Sequence, residues 1–263
     1  MLIGIDHVLI ACPDPVTAAG QLEVALGIRA SAGGRHEAHG TLNSLIWLGD
    51  SYIELMAVFD ADLASRSWWG RHALSVIAHG AQSGDDGGYM GVVVASDNIV
   101  ADAAALRARG SVLGPPEAGE RRRPDGRVVR WQLAHADAPD PDLGLLFMIE
   151  HDSSAAEWTA VERAERAAMV HPLGTAARLE RVELPVVSTH RATMRVHRDV
   201  GLGFRPSLAG GGARDTSVGR QTLRLFPAAT GDPPRVVVRG GSEGRDVKLL
   251  GCRWSIEPVT GPL

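Results

Sequence analysis

The segment Ile3-Gly4-Ile5-Asp6-His7-Val8-Leu9-Ile10 is apolar on both faces of an extended chain except at Asp6 and His7, which predicts a strand covered on both sides. Pro13-Asp14-Pro15 breaks it and opens a helix. Ala19, Leu22 and Leu26 then share one helical stripe, and Gly27 ends it. Gly33-Gly34 and Gly40 predict a loop. Leu45-Ile46-Trp47-Leu48 and Tyr52 to Val58 read as strands joined by a turn at Gly49-Asp50-Ser51. The unit reads β-α-β-β-β.

The same order returns. Gly91 to Ala95 is a strand, and Asp97 or Asn98 caps a helix that carries Ile99, Ala103 and Leu106 on one face. Val128 to Leu133 and Leu145 to Glu150 are further strands, with a turn at Pro124-Asp125-Gly126. Trp68-Trp69 through Ile77 predicts a helix inserted between the two units. Residues 153–176 predict an Ala- and Glu-rich helical connector. A weaker third copy covers 178–227, and Val24-Ala25-Leu26-Gly27-Ile28-Arg29 matches Val200-Gly201-Leu202-Gly203-Phe204-Arg205. Arg235 to Arg239 adds one more strand. The expected division is a domain of two paired modules at 1–152, a connector at 153–177 and a third, degenerate module at 178–263.

Composition narrows the field without choosing a function. Apolar residues are 44% and charged residues 22% of 263, an ordinary globular balance. The formal charge of −4 offers no basic excess for nucleic acid or an anionic membrane. Cys12 and Cys252 form neither a disulfide framework nor a Cys-x-x-Cys site. No apolar run approaches the ~20 residues of a membrane span, and no signal peptide pattern opens the chain, so a cytoplasmic protein is expected. No phosphate-binding loop, Rossmann fingerprint or Ser-His-Asp spacing is found, so no nucleotide cofactor is expected.

Three residues stand out chemically. Glu54 and Glu150 lie in apolar strands, and His7 shares that oddity in the first strand. A carboxylate in such a setting costs several kcal/mol unless it is paired or bound to a metal. Aligning the units puts Gly91 in the place of His7, and Glu150 in the place of Glu54. Bland readings stay open: a core histidine at His7, an arginine partner for Glu54, solvent at Glu150.

With these residues in place, the chain resembles the vicinal oxygen chelate superfamily (glyoxalase, bleomycin resistance and extradiol dioxygenase proteins), and its glyoxalase-like domain subgroup most. The resemblance rests on Ile5-Asp6-His7-Val8-Leu9-Ile10, Gly33-Gly34-Arg35-His36 with Gly40-Thr41-Leu42-Asn43, Leu48 to Leu55, and Arg122-Arg123-Pro124-Asp125-Gly126 with Arg130-Trp131-Gln132-Leu133. It covers residues 2–152 well and the remainder loosely. It implies an α+β fold of paired βαβββ modules whose curved mixed sheet forms a cup. It further implies a divalent metal (Fe, Mn, Zn or Ni) held by His7, Glu54 and Glu150, with Gly91 vacating a fourth position that a loop residue such as His36 could fill. Glu54 or Glu150 would then move protons as catalytic groups.

His36, Asn43, Arg123 and Trp131 are candidate substrate-binding residues. Arg123 suits a carboxylate or phosphate, against the alternative of a solvated turn, and core packing is the alternative for Trp131. The third copy places Arg181 over His7 and an arginine, Arg224, near the acid position, so no metal site is expected there. The implied function is binding or transforming a small oxygen-rich molecule, by isomerase, lyase or dioxygenase chemistry. The alternative is a metal-free protein that sequesters a small molecule. A purely structural reading, in which the chain only forms a homodimer, also stays open.

Overall fold

A computed structural model describes residues 1–229 and 231–259. The expected first strand is β1 (Leu2–Ala11), buried from Gly4 onward. Asp14 then accepts backbone hydrogen bonds from Val16 and Thr17 and starts α1 (Pro15–Leu26), which Gly27 stops at φ 72°. β2 (Ser31–His36), β3 (Thr41–Leu48) and β4 (Ser51–Val58) complete the first module. Two helices follow, α2 (Ala61–Arg66) and α3 (Trp68–Ser83). The second module is β5 (Gly88–Ser96), α4 (Ile99–Ala108), β6 (Glu117–Arg122), β7 (Val128–Ala134) and β8 (Leu145–His151).

The eight strands close into a barrel in the order β1-β4-β3-β2-β6-β7-β8-β5. Its two seams are the antiparallel pair of β1 with β5 and a short pairing of Arg35 with Arg122 between β2 and β6. Both strands of the second seam fall where the sequence predicted irregular chain. Gly33-Gly34 is strand, not a loop, because β2 runs too close to its neighbours for any side chain. A Cβ at Gly33 would lie 2.0 Å from Asn43 Oδ1, and one at Gly34 would lie 2.4 Å from the Arg122 carbonyl. Arg121 and Arg122 end β6, and Arg123 follows at the turn.

Beyond the barrel, only α5 (Ala160–Ala167) of the expected 153–176 connector is helical. The rest is turns that pack across one end of the barrel. A second, open sheet then has the order β10-β11-β12-β9-β13-β15-β14. It is built from β9 (Arg178–Val186), α6 (Thr189–Val200), β10 (Arg205–Pro206), β11 (Arg214–Val218), β12 (Gln221–Pro227), β13 (Arg235–Arg239), β14 (Arg245–Leu249) and β15 (Cys252–Glu257). β13 pairs antiparallel with β9 as β5 does with β1, and β15 pairs parallel with β13 as β8 does with β5. The single extra strand expected at 235–239 is therefore the first strand of a fourth, shortened module with no helix. The helix-ending glycine of α6 is Gly201, at φ 75°, two residues before the glycine that the repeat aligns with Gly27.

An apolar cluster joins the halves. Ile5, Val8 and Ile53 on the outside of the barrel pack in one core with Val182, Leu223 and Trp254 of the open sheet. Gln221 stitches the junction, accepting from the Ile5 amide (3.2 Å) and donating to Ser51 Oγ (2.7 Å). A separate cluster, including Leu9, Met56, Trp69 and Phe147, lies inside the barrel. That interior is where the polar residues converge.

Candidate functional site

The ladder between β1 and β5 slips between Ile5 and His7, leaving Asp6 as an extra residue. Such a bulge re-aims neighbouring side chains, and here both Asp6 and His7 are turned into the protein and buried. Asp6 Oδ1 lies 2.6 Å from His7 Nδ1, and both Asp6 oxygens lie 3.1 Å from His151 Nε2. Burial opposes the Asp6 charge, but His151 and then His7 outweigh it and hold the carboxyl well below the usual range. Asp6 therefore stays ionised and accepts the His7 Nδ1 proton, which leaves Nε2 facing Glu54 Oε2 at 3.5 Å. Glu54 Oε1 accepts from Asn43 Nδ2 (2.7 Å), and Asn43 Oδ1 accepts from the Gly34 amide (2.8 Å). The line His151–Asp6–His7–Glu54–Asn43 thus runs from β8 to β3 and ends on the Gly34 amide of β2.

These groups open on a cavity that is otherwise largely apolar, walled by Leu9, Met56, Trp69, Trp131 and Phe147 among others. Tyr52 stacks on His7 with ring centroids 4.5 Å apart. Burial, followed by the charges of Asp6 and Glu54, pushes its phenol well above the ordinary value, so it remains neutral. His36 is buried, bonded to Thr41 Oγ1 at 3.0 Å, and burial pulls its pKa down to about 4, so it is a neutral imidazole. The connector closes one end. Trp158 stacks on His151 at 3.6 Å, and the buried Glu157 bonds Arg121 Nη2 at 2.6 Å.

The structure brings His7, Glu54, His36, Asn43 and Trp131 to the cavity wall. It separates two others from it. Glu150 faces the opposite side of β8, where its Oε2 accepts from the Ile99 amide (2.7 Å) at the start of α4. The expected ligand trio and the expected second catalytic carboxylate are corrected accordingly. The cause is register. His7 lies opposite Tyr52 and Gly91 opposite Leu145, so the counterpart of Glu54 is Phe147, while Glu150 is odd by one residue and points out. Arg123 does not line the cavity; it holds Glu157 from behind.

Gly91 is no vacated ligand position either, since a Cβ there would lie 2.3 Å from the Leu145 carbonyl oxygen. Among the described residues no group of three or more His, Cys, Asp or Glu side chains is placed to hold a metal ion. His7 and Glu54 remain of the expected set, each already engaged with Asp6 or Asn43, and this donor pair does not fit the predicted metal site.

Sequence reasoning missed His151, Arg121, Glu157 and Trp158. His151 was within reach, because alternation from Leu145 through Phe147 and Ile149 puts it, not Glu150, on the inner face. Arg121 adjoins Arg122 and Arg123, and nothing in its own spacing marks it as the buried one of the three. Glu157 and Trp158 lie in a stretch read as helix, and nothing in that pattern announces a plug.

A family model described as a glyoxalase-like domain matches residues 5–200. Among solved structures, a hypothetical protein from Staphylococcus aureus is similar over 97% of this chain and 99% of its own, with a TM-score of 0.76 at 16% identity. A Streptomyces coelicolor methylmalonyl-CoA epimerase is similar over 59% of this chain and 98% of its own, with a TM-score of 0.41 at 19% identity. A hypothetical protein from Bacillus halodurans C-125 gives 0.41 at 16% identity over 57% and 96%. No curated protein sequence matches this chain. Among the described residues, no helix is long and apolar enough to cross a membrane.

Proposed function

The chain belongs to the glyoxalase-like domain family, and from that premise we propose that its barrel transforms a small oxygen-bearing molecule by proton transfer, with Glu54 as base and His7 as its partner acid. The observation that carries this reading is the buried line from Asp6 through His7 to Glu54 and Asn43, ending on a mostly apolar cavity. Paired acid and base groups held at fixed separation in a dry site are what removal of a proton beside a carbonyl requires.

The step balances simply. Glu54 Oε2 takes the proton from carbon, and the C–H electron pair moves toward the carbonyl to form an enolate. The scheme requires His7 to carry protons on both ring nitrogens: Nε2–H donates to the oxygen on which charge develops, while Asp6 offsets the ring's charge through Nδ1. Delivery of a proton to the opposite face of the carbon gives the epimer, and delivery to the neighbouring carbon of an enediolate gives the isomer. Asn43 fixes the Glu54 carboxylate, and Tyr52 fixes the ring plane of His7. No metal enters this scheme.

Deuterium incorporation tests it. Small carbonyl compounds and hydroxy acids incubated with the protein in D2O should gain deuterium at carbon, and Glu54→Gln should slow this at least ~100-fold. Tight binding of the same molecules with no exchange would instead favour a sequestering protein, a reading that the aromatic wall of Trp69, Trp131 and Phe147 also suits.

A further inference from the structure

Arg121 is buried in the cavity wall with a partly satisfied guanidinium. Its Nη2 donates to Glu157, but Nη1 has no hydrogen-bond partner among the described residues. Arg123 donates to the other oxygen of the same carboxylate. Arg123 also pairs with the exposed Asp125, so Arg121 is the guanidinium whose one carboxylate partner among the described residues is Glu157, and its unmet N–H groups at the cavity wall are costly to leave buried. The carboxylate itself is held awkwardly. Glu157 has φ 71°, a left-handed conformation that non-glycine residues rarely adopt. It is carried on a short stretch of turns between β8 and α5, secured by Trp158 on His151 and by Arg166, which lies over the rings of Trp47 and Trp158 and donates to the Glu157 carbonyl.

We propose that Arg121 is the anion-recognition residue of the cavity, and that Glu157 is an internal stand-in that a small carboxylate displaces. The ligand class is then a small 2-oxo or 2-hydroxy carboxylate. Its carboxylate takes the fork of Arg121, and its second oxygen reaches inward toward His7. This assignment rests on the proton-transfer reading for the role of the second oxygen, but not for the anion site. Displacement releases Glu157 and shifts Trp158 off His151, so the segment that plugs the barrel end also gates entry.

The test is binding of pyruvate and glycolate to the full chain, followed by tryptophan fluorescence and calorimetry, with inorganic phosphate as a comparison. Glu157→Gln removes the competing charge and should tighten carboxylate binding about tenfold or more. Arg121→Met should abolish it. Since Arg121→Met leaves Glu157 short of a partner and could unfold the chain, Arg121→Lys serves beside it; it keeps the charge and loses the fork, and should weaken binding at least tenfold.

Unchanged carboxylate affinity in Glu157→Gln, binding by Arg121→Met equal to wild type, or phosphate binding as tight as pyruvate would each overturn the assignment. So would failure of both carboxylates to bind wild type and Glu157→Gln alike. Glu54→Gln separates the two proposals: it should keep the anion site while losing exchange. Tighter binding in Glu157→Gln with no exchange in any variant supports the anion site and removes the proton-transfer reading. Exchange confined to neutral carbonyl compounds does the reverse.

Discussion

The barrel and the open sheet share one topology but treat their inner positions in opposite ways. In the barrel, His7 lies opposite Tyr52 on the neighbouring parallel strand, with Glu54 two residues on. In the open sheet, Arg181 lies opposite Thr222, with Arg224 two residues on. The barrel buries its pair, and each group has one or two well-placed neighbours. The sheet leaves its pair part-exposed and surrounds it with acids. Arg224 is bidentate to Asp215 (2.8 and 2.9 Å) and bonds Glu183 (3.0 Å), while Arg181 bonds Glu183 (2.5 Å) and Glu257 (3.0 Å). Arginine cannot exchange a proton near neutral pH, so this face carries charge without acid–base chemistry. Duplication supplied two concave faces. Closure buries a carboxylate and an imidazole on one of them, where the open face carries part-exposed arginines.

The largest expected difference is in activity. Asp6→Asn keeps the shape but removes the charge that fixes the His7 ring, and should lower the exchange rate by about 100-fold or more. Arg224→Ala in the open sheet should leave that rate unchanged. Equal loss in both, measured by deuterium incorporation, would erase the distinction between the halves.

Closure itself is the next target. Gly33→Ala drives a Cβ into Asn43, its backbone oxygen included at 2.4 Å, and should cost about 3 kcal/mol in denaturant unfolding. Gly203→Ala has open space around it and should change stability by less than about 1 kcal/mol.

Acid should also distinguish the halves. His36 titrates near 6.5 when unfolded but is pulled down to about 4 by burial in the barrel. The unfolded chain therefore binds the proton first. Stability is full above pH 6.5 and falls by up to about 3 kcal/mol as pH drops toward 4. Asp6 works in the same direction but lower, its contribution being lost only as pH falls below 3.8. Asp215 in the open sheet is likewise held below 3.8, first by Arg224, and adds nothing to the slope between 6.5 and 4. His36→Gln should reduce the slope in that window, as read by melting temperature against pH, and the remainder belongs to His39, His72 and His171, which burial also holds below the ordinary value.

The smallest effect belongs to the arginine network. Arg224→Ala should cost about 1 kcal/mol, because Arg224 and its bidentate partner Asp215 are part-exposed and salt-screened, and buried Glu183 keeps Arg181 as a partner. A cost several times larger would mean that the open face is a tighter structural element than its exposure implies.

The paired modules, the first helix and its caps were legible because periodicity and turn residues are local signals. Asp14, Pro15 and Gly27 mark α1 without reference to the rest of the chain. His7 and Glu54 were legible as charged residues in apolar strands. Glu150 misled because it has the same local appearance, and only the ladder shows that it lies one residue out of phase. β2 was hidden because its glycines answer to neighbouring strands rather than to their own sequence. The fourth module was hidden because it lacks the helix that makes the others recognisable. The plug at Glu157 and Trp158 depends on side-chain pairings across 34 to 36 residues, which no spacing rule encodes.

The most direct test of the account is the tautomer of His7, read by long-range nitrogen–proton NMR in ¹⁵N-histidine-labelled protein. The account predicts that Nδ1 carries a proton hydrogen-bonded to Asp6, that Nε2 also carries one, and that Glu54→Gln shifts the Nε2 resonance while leaving Nδ1 in place. A ring carrying a single proton on either nitrogen, or an Nε2 signal indifferent to Glu54→Gln, would contradict it.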